Sequence, residues 1–305
     1  MAITANWTAV SGSTGYKLYR QAGAKVDLAN LPADVVSVAA DKTTYQYPTS
    51  VSNTLYYVVV ASTDANGLVT FSDQIMIGYY PDTGPGPSTL LRGDWSFGFF
   101  GEVAVTDVAS PNEIYASAYA LKGSSALSPQ NAWSVYYKCI VAGRIIFIPD
   151  NAYANNGPTF ETLRTAGFAL ADYSYEANGV KVARNGFEFV ARVAHATAGP
   201  LTTIIADPTK ATDDISRSEL GMFIALFGGS NAPGVVPAVA GNAPYTKYRL
   251  GDYSVPTYQN TLPTDTFINA QSSGVVAATV VTSATVSTVA TSASSRANLV
   301  LELLF

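Results

Sequence analysis

The stretch that most constrains this chain is Arg144-Ile-Ile-Phe-Ile-Pro149. Its β-branched and aromatic residues, bounded by Gly143 and Pro149, are too short a run for a helix and suit a strand buried on both faces. A polar turn follows, Asp150-Asn-Ala-Tyr-Ala-Asn-Asn-Gly157. Next comes a short helical pattern over Phe160 to Leu170, then a hairpin pattern centred on Asn178-Gly179 and Asn185-Gly186. Asn-Gly pairs accept positive φ at little steric cost, so the chain can reverse there. A buried strand needs cover on both faces, and the helix and hairpin can supply it. No reactive constellation lies in the stretch, so it speaks of architecture rather than chemistry.

With 305 residues the chain is long for one domain and comfortable for two, each able to bury a core without staples. A single cysteine, Cys139, excludes an intrachain disulfide and Cys-rich metal sites. It follows Trp133, Tyr136 and Tyr137 and reads as a small buried hydrophobe. Charged residues make up 13% of the chain, against about 25% in ordinary domains. A surface so poor in charge suits a protein partly covered by neighbouring subunits. The net charge of −5 and the lack of Lys/Arg clusters argue against nucleic acid as a partner. The first residues have neither the basic start nor the apolar segment of a signal peptide, so the expectation is a protein that stays in the cytoplasm where it is made.

Taken in order, residues 1–80 read as short strands parted by turns: Ile3 to Trp7, Tyr16 to Arg20, Thr43 to Tyr47, Leu55 to Ala61 and Val69 to Tyr80. That spacing points to a β-sandwich. Pro and Gly then alternate from Pro81 to Ser88, which predicts a semi-stiff linker over 81–89. Residues 90–305 form the second expected domain, α+β with an antiparallel sheet and two short helices, so that the whole is mainly β. Strands are expected at Trp95 to Phe100, Glu102 to Thr106, Glu113 to Tyr119 and Trp133 to Val141.

The first region resembles a fibronectin type III or immunoglobulin-like domain. The likeness rests on a tryptophan strand, the pattern Gly15-Tyr16-x-x-Tyr19-Arg20, a Tyr-Tyr-Val-Val-Val strand and the turn Asp64-Ala-Asn-Gly67. It implies that Trp7 is the core tryptophan and that Tyr56 or Tyr57 packs at the sandwich corner. Only six residues precede Trp7, too few for the usual first strand as well. A sheet edge is therefore left open, or the sandwich simply starts one strand late.

In the second region Arg92-Gly93-Asp94 matches the tripeptide of integrin ligands, but three residues arise by chance and a strand start explains them. Ser216-Arg-Ser-Glu219 reads as a capping box, with Asp213 and Asp214 at the positive end of a helix dipole and Leu220, Phe223, Ile224 and Phe227 on its apolar face. Residues 231–269 read as surface loops, in which Tyr245, Tyr248, Tyr253 and Tyr258 are the candidate recognition residues. The Val/Ala/Thr/Ser tail from Ser272 to Ser295 approaches a membrane span in length. Its Ser/Thr and β-branched content instead favours one or two strands. Arg296 to Phe305 reads as a final core strand whose apolar end should be docked.

This second region resembles a large module of tailed-bacteriophage particle proteins. Four features carry the likeness: Gly143 to Pro149, the helix pattern Phe160-x-x-Leu163-x-x-Ala166-Gly167, the hairpin Asn185 to Arg192, and Ser218-Glu219 at a helix start. The close Arg296-Ala-Asn-Leu-Val-Leu-Glu302-Leu is similar to the family's ending, with Ala297-Asn298 in place of its proline, and Leu220 stands where the family has tryptophan. The resemblance implies a non-enzymatic virion component, multimeric, at the collar or neck or on the tail. It would be assembled in the host bacterial cytoplasm, with copies of itself and head–tail connector, tail or capsid proteins as partners. The alternative is a receptor- or carbohydrate-binding fibre or decoration module that contacts host-surface glycan.

Neither the residues nor the resemblance supplies a catalytic group, a cofactor or a metal site, and no membrane partner is expected. His195 continues the alternation of Phe187, Phe189, Ala191 and Val193 and reads as a packed histidine. It is the sole histidine, and no Gly-x-Ser-x-Gly elbow, phosphate loop or dinucleotide fingerprint accompanies it. A glycosidase needs only two carboxylates, and nothing selects a pair among the 22 acidic residues.

Overall fold

A computed structural model describes residues 3–151, 153–154, 158–169, 178–194, 219, 222, 226, 266–272, 275–281, 286–289 and 299–305, the stretch between 266 and 289 by its backbone alone. The fold is mainly β, built on several antiparallel sheets. Two compact units emerge: Met1–Thr83 with Asp94–Ser96, and Gly84–Gly93 with Phe97–Phe305.

The first unit holds β1 (Ile3–Asn6), β2 (Ser13–Ala22), β3 (Val35–Ala39), β4 (Thr44–Tyr47), β5 (Thr54–Asp64), β6 (Val69–Phe71) and β7 (Ile75–Tyr79). β1 pairs β4, while β3, β2, β5 and β6 make a larger sheet in that order, with β7 also on β5. Alternation sends Ile3, Ala5 and Tyr47 from one sheet, and Tyr16, Leu18, Tyr56, Val58 and Val60 from the other, into a shared core. Trp7 packs edge-on to Tyr16, ring centroids 5.4 Å apart. Of the two candidate corner tyrosines, Tyr56 has its hydroxyl accepting the Val51 N–H at 2.6 Å. The sequence reading had no strand at β3 and took β6 and β7 as one; Ser72 divides them, its hydroxyl accepting the Val60 N–H. Trp95 also belongs to this unit, stacked on Tyr80 at 5.1 Å.

The second unit is built on a sheet ordered β12-β13-β17-β11-β10-β9-β8. Its strands are β8 (Arg92–Asp94), β9 (Phe97–Ala104), β10 (Val135–Val141), β11 (Arg144–Pro149), β12 (Val180–Arg184), β13 (Phe187–Val193) and β17 (Leu299–Leu304). The apolar run that opened the sequence analysis is the middle strand, with Ile145, Ile146, Phe147 and Ile148 wholly buried. The C-terminal strand lies directly beside it, Ile146 opposite Glu302, and also pairs β13. A separate sheet joins β14 (Thr266–Ser272), β15 (Val275–Val281) and β16 (Val286–Val289), so the tail does form strands.

Two local expectations change. Glu113 to Tyr119, read as a strand, lies in helix α1 (Pro111–Lys122). Ser110 and Glu113 form a capping box with Pro111 at the first helical position, and Pro111, Ile114 and Ala118, spaced three and four apart, are the buried residues. The alternation of Ile114, Ala116 and Ala118 had mimicked a strand. Of the two Asn-Gly pairs, only Asn185-Gly186 turns a hairpin. Both residues have positive φ, 55° and 85°, between β12 and β13. Asn178 is helical, and Gly179 leads into β12. The expected helix near Phe160 is α2 (Phe160–Thr165), capped by the Thr159 side chain.

Candidate functional site

Apolar strands of the second unit carry isolated charges, and an ionised group removed from water must find partners. Arg192 on β13 is fully buried. Its Nη1 and Nη2 donate to the two oxygens of Glu219 at 2.7 and 2.5 Å. Its Nε and Nη2 donate to Glu302 Oε2 at 2.8 and 2.6 Å. Glu219 is also fully buried, and Arg144 Nη2 stands 3.6 Å from it, an ion-pair rather than hydrogen-bond distance. Two guanidinium groups and two carboxylates therefore sum to zero. Only the planar fork of arginine could serve both carboxylates at once. Such an arrangement binds elements together, because both Glu219 oxygens already accept from Arg192.

A second buried cation, Lys138 on β10, donates to the carbonyls of Gly84, Pro85 and Pro87 at 3.2, 2.9 and 2.7 Å. Phe100 and Phe147 flank its ammonium. Proline lacks an N–H and glycine a side chain, so this Pro/Gly segment exposes mostly carbonyls, and an ammonium is their natural complement. Asp150, just past β11, accepts the Ser134 N–H at 3.1 Å. Burial raises its carboxyl above the ordinary value, against the opposing pull of that backbone bond. Cys139 is buried, and burial pushes its thiol well up, the opposite of what a nucleophile needs.

The Arg-Gly-Asp tripeptide is β8. Gly93 has φ 79°, and a Cβ there would collide with the Phe97 carbonyl. Asp94 Oδ1 accepts from the Ser96 N–H at 2.7 Å, so this carboxylate closes a turn. An open hollow of about 300 Å³ is lined by Ser124, Ser125, Leu127, Glu161, Thr162 and Thr165, and Glu161 is engaged there by Arg164. Among the described residues no three His, Cys, Asp or Glu side chains gather as metal ligands, and no helix is long and apolar enough to cross a membrane.

The candidate recognition residues Tyr245, Tyr248, Tyr253 and Tyr258 lie outside the described residues, as do His195, Asp213 and Asp214. So do Leu220, Phe223, Ile224 and Phe227, expected as a helix face. The described helical positions there are Glu219, Met222 and Leu226, all buried. Glu219, read as one half of a capping box, accepts from Arg192; Ser216, the other half, lies outside the described residues. Sequence reasoning missed this network and the Lys138 anchor. Their signal was present: single charges inside Tyr-Tyr-Lys138-Cys-Ile, Phe-Val-Ala-Arg192-Val-Ala and Leu-Val-Leu-Glu302-Leu-Leu.

A scan against protein-family models, a search of curated proteins and a search of solved structures each return no match.

Proposed function

We propose that this chain is a non-enzymatic structural component of a tailed-phage virion, a multimeric protein of the collar or neck or of the tail. One observation carries the reading. Arg144, Arg192, Glu219 and Glu302 come from four separate segments that bear the family resemblance, and they meet in one charge network centred on the buried Arg192 and Glu219. Residues spread over more than half the chain thus act as a unit of architecture, and this supports a resemblance of whole modules over a chance likeness of short motifs. The strand order of the first unit, β1-β4 against β3-β2-β5-β6, suits a fibronectin-like sandwich. Immunoglobulin-like modules joined to particle proteins fit that arrangement.

The test is location. Gold labelling of the chain on purified virions of the phage that encodes it, viewed by electron microscopy, is expected to mark the collar or tail. Purified virions that lack the chain by mass spectrometry would overturn the proposal.

A further inference from the structure

We propose that β3 is a pairing edge for a second copy of this chain, joined antiparallel about a two-fold axis at Ser37. Among the described residues β3 is the terminal strand of its sheet. The Arg20 N–H donates to the Asp34 carbonyl at 2.9 Å, so residues 20 and 34 stand opposite each other at a hydrogen-bonded position of the ladder. By alternation Val36 and Val38 turn their backbone groups to β2, while Val35, Ser37 and Ala39 turn theirs away from it. The Ala39 carbonyl accepts from Lys42 in the turn that ends the strand, so the pairing segment is bounded at 35 and 39.

The edges of the second unit's sheet offer a contrast. The large sheet of the second unit ends in β12, which carries Lys181 and Arg184, and in β8, which carries Arg92 and Asp94. Charges of this kind keep foreign strands away. β3 has none: it reads Val-Val-Ser-Val-Ala, and Val35 is 44% exposed. The charges beside it are already matched, Asp34 by Arg20 at 2.7 Å and Asp41 by Lys42 at 3.1 Å. The strand is also close to self-complementary. Antiparallel pairing at Ser37 sets Val35 against Ala39 and Val36 against Val38 of the partner copy, apolar against apolar on both faces, and brings no unmatched charge to either end. The edge stands on the first unit's geometry alone, so it goes beyond the virion reading and does not rest on it.

The experiment is sedimentation velocity of the full chain at micromolar concentrations, with Ser37→Lys, Ser37→Asp and an equimolar mixture of the two. Ser37 is exposed, so either substitution should leave the unit folded, which circular dichroism checks. The wild type is expected to dimerise. Each variant alone should associate at least about tenfold more weakly, because like charges then face each other across the two-fold axis. The mixture should dimerise again. A monomeric wild type, undiminished self-association of Ser37→Lys, or a mixture that stays monomeric would each overturn the proposal.

Discussion

Ala142 holds a left-handed conformation, φ 50°, in the two-residue turn between β10 and β11, with Gly143 at φ 79° beside it. Non-glycine residues other than Asn and Asp rarely occupy that region, because Cβ crowds the following carbonyl. The neighbouring hairpin uses Asn185-Gly186 for the same geometry, and so has the residue pair the turn prefers. Ala142→Asn should therefore stabilise the second unit by about 0.5–1 kcal/mol, read as a higher urea midpoint with an unchanged slope. The Ala-Gly pair is a weak turn signal, yet the run that follows it betrays the strand. For Lys138, Arg192 and Glu302 the opposite holds: each is plainly visible as a misfit in its apolar strand, while its partner cannot be named. The carbonyls that Lys138 serves lie some fifty residues away.

Among the elements, α1 shows how two periodicities compete. Ser110-Pro-Asn-Glu113 announces a helix start, and Ala116, Ala118 and Ala120 favour helix, but alternating apolar residues there also satisfy a strand template. The cap decides, since Ser110 receives the Glu113 N–H and Glu113 reaches back to the Ser110 N–H at 2.8 Å. Ser110→Ala should cost about 0.5–2 kcal/mol, measured as a lower thermal midpoint of the second unit. Glu113 also pairs with Arg184 of β12, so Ser110→Ala should in addition loosen the contact of α1 with that strand. Strand β3 was not legible at all. Its five residues follow a loop containing Gly, Pro and Asp, and only the β2 ladder makes them a strand.

Across the second unit, Arg192 joins β13 to β17 through Glu302 and to the helical segment through Glu219, with Arg144 of β11 close by. Arg192→Met leaves Glu219 buried without its fork of donors and should cost about 3–5 kcal/mol. Adding Glu219→Met removes that stranded charge and should recover part of the loss. Thermal unfolding of the two variants side by side checks both outcomes. The sequence by itself determined the strand-forming runs, the Pro/Gly break, the Asn185-Gly186 reversal and the poverty of charge, because each depends on properties of neighbouring residues. Only the tertiary structure decided that the last strand inserts between β13 and β11, that four distant charges neutralise one another, and that β3 forms an edge. Those outcomes depend on which segments meet in space, and pairing between strands more than a hundred residues apart leaves no mark on local periodicity.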